Sequence, residues 1–295
     1  MKSYCLALPL LFMSSLTGDG RSQTSEAFRI SVNVNLVVLH PTVTGHKGEF
    51  ASDLREQDFE VYEDGLRQSI KLFRHEDIPV TVGLVVDHSS SMRPKLAEVI
   101  AAARAFVHIS SPDDRMFVVN FNEKVTLGLP DGVGFTNSAA ELERAIFRTP
   151  AAGMTALYDA IVEAQRRLET GSPDKKVLIV ISDGGDNASR HTMADVLKVA
   201  ERSSALVYTI GIFDPDSEDK NLDVLRHLAR ATGGDAYFPV KLEEVVASCE
   251  RIAHDIRHQY TLGYVSNNTV KPGVYRSLRV VARSPETGKL EEGSP

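Results

Sequence analysis

The stretch Val80-Thr81-Val82-Gly83-Leu84-Val85-Val86-Asp87-His88-Ser89-Ser90-Ser91 decides the fold. From Val82 to Val86 no position is polar, so neither face of the segment is suited to water. A strand with one wet face alternates apolar and polar residues; an unbroken apolar run fits a parallel sheet with helices over both faces. The run ends abruptly at Asp87, and short hydroxyl side chains follow. In open α/β sheets, ligands bind at that carboxyl end of the strands.

Downstream the pattern repeats. Pro94 sits at a first-turn position ahead of Leu96, Val99, Ile100, Ala103 and Val107, which share one helical face. Met116 to Phe121 and Val125 to Leu129 read as strands, 139–147 and 156–168 as helices. Val177 to Ile181 and Leu206 to Ile212 are further apolar strands. A helix opened by Thr192 follows the first, and one from Leu222 to Ala231, stopped by Gly233-Gly234, follows the second. A short strand at 236–238 and a long amphipathic helix from Leu242 to His258 complete the series. Such alternation predicts a doubly wound, mainly parallel α/β sheet with right-handed crossovers.

The flanks have another character. Phe28, Ile30, Val32, Val34, Leu36 and Val38 occupy every second position, the mark of a half-buried strand. Residues 57–73 read as a hairpin, with Phe59 and Val61 before an Asp64-Gly65 turn and Ile70 and Leu72 after it. Past His258, Tyr260, Leu262 and Tyr264 alternate, and Leu278 to Val281 is a further strand. The expectation is a small all-β module built from residues 24–78 and 259–283, beside an α/β domain at 79–258, with 284–295 as a loose tail.

Composition limits the functions. Apolar residues make up 42% and charged residues 25% of 295, enough to bury a sizeable core. The net charge is -7 with no long Lys/Arg run, which argues against nucleic acid and anionic membrane surfaces as partners. Lys2, the apolar run Tyr4 to Met13 and the small residues after it read as a signal peptide over residues 1–23. That run is too short to span a bilayer, so a secreted or periplasmic chain without a membrane span is expected; a disordered or buried N-terminal strand is the alternative. Removing Cys5 with the signal leaves Cys249 alone, at helical spacing among apolar residues and expected to be a buried thiol.

Three polar clusters fall at strand ends or helix starts: Asp87-His88-Ser89-Ser90-Ser91, Gly153-Met154-Thr155 and Asp183-Gly184-Gly185-Asp186. Hydroxyls and carboxylates are hard ligands, suited to Mg2+ or Mn2+ rather than zinc. Alternate residues in Asp87-x-Ser89-x-Ser91 let one tight loop aim several oxygens at a point. Each piece also has a plain structural reading: Ser89, Ser91 or Thr155 as a helix cap, Asp183 as a turn former.

In this order the clusters resemble the adhesion-site motif of the von Willebrand factor type A family: Asp-x-Ser-x-Ser, then Thr, then Asp. The resemblance covers roughly residues 80–258 and implies a Rossmann-like domain in which Asp87, Ser89, Ser91, Thr155 and Asp183 surround the ion, some through water. Ser90 and Met154 depart from the pattern, where glycine is frequent. The flanks, notably Asp58 to Gly65 and Tyr260 to Tyr264, resemble a secreted VWFA-related family typical of Acidobacteria.

What this implies is recognition rather than catalysis: a protein-binding module whose ion accepts an Asp or Glu carboxylate from a partner. A metal-independent scaffold with a vestigial site is the alternative, and a metal-dependent hydrolase a third. The hydrolase lacks a general base apart from the expected ligands and a glycine-rich phosphate loop before a Lys. Other candidate metal groups are weaker. His254 and His258 stand four apart without a third ligand, and the acidic Asp214, Asp216, Glu218 and Asp219 lack the glycine and closing glutamate of an EF-hand. Asn267-Asn268-Thr269 matches a glycosylation acceptor.

Overall fold

The computed structural model describes residues 36–43, 51, 53–75, 78–171, 175–203, 205–213, 221–267, 276–283 and 290–293. The expected signal peptide, residues 28–35 of the first strand and the acidic loop 214–220 lie outside them. Among the described residues no helix is long and apolar enough to cross a membrane.

The central sheet has six strands: β5 (Val80–Asp87), β6 (Arg115–Phe121), β7 (Val125–Leu127), β8 (Lys175–Ser182), β9 (Leu206–Gly211) and β10 (Ala236–Tyr237). Their order is β10-β9-β8-β5-β6-β7, parallel except for β7. Strand β5 lies in the middle and all eight of its residues are buried, as its unbroken apolar run requires. Helices α1 (Leu96–Ile109), α2 (Ala139–Ile146), α3 (Leu157–Leu168), α4 (Met193–Ser203), α5 (Leu222–Thr232) and α6 (Leu242–His258) supply the cover. Pro94 falls in a 3-10 turn, Ser90–Lys95, that leads into α1. Cys249 on α6 is buried as expected, and desolvation pushes its thiol up to about 12.

The flanks form two antiparallel sheets that share a second core. One has the order β1-β11-β4, from Leu36–Leu39, Thr261–Val265 and Ile70–Arg74. The other runs β13-β12-β2-β3, from Leu290–Gly293, Leu278–Arg283, Phe59–Glu63 and Leu66–Gln68. Both sheets therefore join N-terminal to C-terminal strands, at β1-β11-β4 in one and at β12-β2 in the other, and Phe59, Val61, Tyr260, Leu262, Tyr264 and Val280 pack in one cluster. Tyr260 caps the junction: its hydroxyl donates to Ala51 O at 2.8 Å and accepts from Leu54 N at 3.0 Å.

Two expectations need correction. The single hairpin over 57–73 turns at Asp64-Gly65 as read, but its second arm divides at Ser69. Leu66–Gln68 stays with β2, whereas Ile70–Arg74 crosses to pair with β11. The stretch 284–295, expected to be loose, contains β13, which pairs with β12 from Val280↔Gly293 to Arg283↔Leu290.

Candidate metal centre

Strand β5 delivers Asp87 to the carboxyl edge of the sheet, fully buried. Its Oδ1 accepts the Ser89 amide at 2.8 Å, which tightens the turn, and its Oδ2 accepts the Ser182 hydroxyl at 2.6 Å. Ser182 is the last residue of β8, the parallel neighbour of β5, so the sheet register itself brings the two together. Ser89 Oγ lies 3.1 Å from Ser91 Oγ, and Ser91 Oγ donates to Asp183 Oδ2 at 2.6 Å. Asp183 Oδ1 accepts the Gly185 amide at 3.1 Å. Four of the five expected residues thus join in one run, Asp87 through the Ser89 amide and Ser89, Ser91 and Asp183 oxygen to oxygen.

Thr155 reaches the same place by its backbone. The loop before it lies against the first cluster through Ser90 N to Gly153 O at 3.1 Å and Ala152 N to His88 O at 2.9 Å. Asn187, four residues past Asp183, accepts the Thr155 amide at 2.8 Å and donates its own amide to Thr155 O at 2.9 Å. The Thr155 hydroxyl shares no hydrogen bond with the other four residues. Two glycines make these turns possible. Gly153 has φ +85, and a Cβ there would stand 1.6 Å from Glu123 Oε2. Gly184 also has φ +85, and a Cβ would meet Asn221 O at 2.4 Å.

The plain structural readings fare unevenly. Ser89 occupies the N-cap position of the 3-10 turn, yet its side chain makes no cap bond. The N-cap of α3 is Ala156, so Thr155 is not that helix's cap. Asp183 does close a turn, but with one oxygen only.

Asp87, Ser89, Thr155 and Asp183 are buried, whereas Ser91 and Met154 open to solvent, giving a floor and a rim. Burial pushes the Asp87 carboxyl up to about 6, with the nearby Asp183 charge adding to the rise and the Ser182 and Ser89 bonds opposing it. Among the described residues neither Asp87 nor Asp183 forms an ion pair with Lys, Arg or His. Two buried carboxylates without a counter-charge, edged by hydroxyls, are an oxygen donor set that fits a hard divalent cation. Among the described residues no three His, Cys, Asp or Glu side chains converge, so a softer, imidazole- or thiolate-rich site is not formed there. His254 and His258 stack at 5.6 Å, with His258 Nδ1 2.7 Å from His254 O.

Several residues that build the site escape a reading of the motif alone: Ser182, Asn187, and the group Asp186, Ser189 and Asp159. Ser182 carried a signal, being the single hydroxyl that ends an apolar strand just before Asp183. Asn187 and Ser189 carried none beyond their place in a polar loop.

A doubly wound α/β domain with an oxygen-lined site at its carboxyl edge is the class of protein that these features define. The von Willebrand factor type A domain model matches residues 81–249, more than half of the 295, and the chain belongs to that family. No curated protein matches it in sequence. It is similar in structure to a von Willebrand factor type A protein from Catenulispora acidiphila, with 16% identity and a TM-score of 0.52 over 89% of this chain and 73% of that one. It is also similar to proximal thread matrix protein 1 from the mussel byssus, whose structure has a zinc-occupied MIDAS motif. That likeness has 16% identity and a TM-score of 0.53, and it spans 67% of this chain and about half, 50%, of the other. At these identities the likeness is one of fold.

Proposed function

We propose that the chain is an exported protein-binding module that holds Mg2+ or Mn2+ with Asp87, Ser89, Ser91, Thr155 and Asp183 and accepts a partner's Asp or Glu carboxylate there. The observation that carries this reading is the pair of buried carboxylates, Asp87 and Asp183, linked through Ser89 and Ser91 and, among the described residues, paired with no Lys, Arg or His. A bound divalent ion would supply a positive centre with a coordination position left for an outside oxygen. The chain's residues do the rest. Ser182 and the Ser89 amide fix the orientation of Asp87, burial keeps water from its oxygens, and exposed Ser91 and Met154 border the approach. The zinc-occupied MIDAS motif of the mussel protein supports ion use by this fold. Export rests on the reading of residues 1–23 as a signal peptide.

The hydrogen bonds themselves favour a second reading. Both oxygens of Asp87 and both of Asp183 already have donors, so the loops can hold their shape as a metal-independent scaffold. Calorimetric titration of the purified chain with Mg2+ and Mn2+ separates the two, with Asp87→Ala and Asp183→Ala as controls. The adhesion reading expects binding in the wild type and none in either variant, and partner capture that EDTA abolishes. Capture indifferent to EDTA and to Asp183→Ala would instead establish the scaffold.

A further inference from the structure

Helix α3 carries Thr155 at its entrance, yet it has no cap of its own. Ala156 stands at the N-cap and has no side-chain oxygen, so the first-turn amides need acceptors from elsewhere. They find them in the loop after β8. Tyr158 N donates to Asp186 Oδ2 at 3.1 Å and Asp159 N to Ser189 Oγ at 3.1 Å, while Ser189 Oγ donates to Asp186 Oδ2 at 2.6 Å. The helix answers in kind: Asp159 Oδ1 accepts Arg190 N at 3.0 Å and His191 N at 2.9 Å, and lies 2.7 Å from His191 Nδ1. Loop and helix start cap each other in trans.

Asn187 stands at the centre of this joint. Its side-chain Oδ1 takes the Thr155 amide, and its backbone amide, with that of Ala188 at 3.0 Å, returns to Thr155 O. It therefore grips Thr155 by both backbone groups. Only Gly184, Gly185 and Asp186 separate it from Asp183, so one residue sets the distance between two expected ligands that lie on different loops. Asn187 is itself exposed and absent from both hydrophobic cores. Its contribution is thus its hydrogen bonds rather than packing.

We infer that Asn187 is a positioning residue that sets Thr155 against Asp183 and thereby tunes the site's affinity for a divalent ion. The inference rests on the metal-site reading given above. Removing a residue that orients a ligand typically lowers metal affinity about 10–100-fold.

The test is calorimetric titration of Mn2+ into the full chain, its Asn187→Ala and Asn187→Asp variants, and Asp87→Ala as the blank, with thermal melting in EDTA alongside. Asn187→Ala leaves the Thr155 amide without its acceptor and is expected to bind about 10–100-fold more weakly. Asn187→Asp keeps an oxygen in the same place and is expected to recover most of the loss. A purely structural role would lower melting in EDTA and leave Mn2+ affinity intact. That result, or an Asn187→Asp as weak as Asn187→Ala, overturns the inference while wild-type binding still upholds the site. Absence of Mn2+ binding in the wild type would overturn both. Should Asn187→Ala fail to fold, Ser189→Ala removes the acceptor of Asp159 N and spares the Asn187 grip. Weaker Mn2+ binding is expected of it, and unchanged binding contradicts the trans-capping account.

Discussion

At the amino-terminal end of the central sheet, Asp114 is buried beside the Arg257 guanidinium and also accepts Val80 N at 2.9 Å and Ser111 N at 3.0 Å. On the last helix, buried Asp255 is met by the Tyr208 and Thr42 hydroxyls, and Gln259 Nε2 donates to the Tyr208 oxygen at 3.0 Å. At the carboxyl-terminal end, Asp87 and Asp183 are just as buried but receive hydroxyls and amides alone. Asp114 has its own counter-charge in Arg257; among the described residues Asp87 and Asp183 pair with none. Where a fold buries a carboxylate with a cation of its own, the group holds elements together. Where it buries two without one, at the sheet edge that binds ligands, the proposed function has a bound divalent ion supply the charge.

The contrast gives charge-removing substitutions at the two ends opposite signs. Arg257→Ala removes the guanidinium beside buried Asp114 and should cost about 3–5 kcal/mol in denaturant unfolding. Asp87→Asn removes a charge that has no counter-charge. In the fold the Asp87 carboxyl is raised from 3.8 to about 6, so the ionised form is penalised there. The penalty is absent below the unfolded value and complete above about 6, so at pH 8 in EDTA Asp87→Asn should stabilise by about 1–3 kcal/mol. A loss of stability would mean that the Ser182 and Ser89 bonds already compensate the charge.

A pH scan sharpens the picture at the junction with the flanking sheets. Burial, helped by the Lys175 charge, lowers His40 from 6.5 to about 4. The folded state therefore resists protonation that the unfolded chain accepts. The His40 contribution is full above pH 6.5 and should fall by about 3 kcal/mol as the pH drops towards 4, read as the difference between wild type and His40→Gln because Asp87 gains in the same window. His40→Gln should flatten that window, and a scan unchanged by the substitution would contradict the assignment. Tyr208→Phe deletes one hydroxyl from Asp255 and one acceptor from Gln259. It should cost about 1–3 kcal/mol in denaturant unfolding.

The α/β core was legible because burial on both faces leaves no polar residue in Val82 to Val86 and almost none in Val177 to Ile181 or Leu206 to Ile212. The strand ends then located the polar clusters. Less was legible where two continuations share one pattern. Apolar alternation runs on past Gln68 into Ile70 and Leu72, so nothing in the sequence marks the change of sheet at Ser69. Leu290-Glu291-Glu292-Gly293 has no strand alternation at all, and its pairing is imposed by β12. At the site, the motif names oxygens but not what holds them. Ser182 acts across a strand pair and Asn187 across two loops, relations that exist only after the chain has folded.

The most direct measurement is thermal melting of the wild type and Asp87→Asn at pH 8, each in EDTA and in Mn2+. An externally supplied counter-charge predicts that Mn2+ raises the wild-type Tm, that Asp87→Asn melts above the wild type in EDTA, and that Mn2+ no longer moves it. A wild type indifferent to Mn2+, together with an Asp87→Asn that melts lower in EDTA, would contradict the account and leave Asp87 as a structural carboxylate like Asp114.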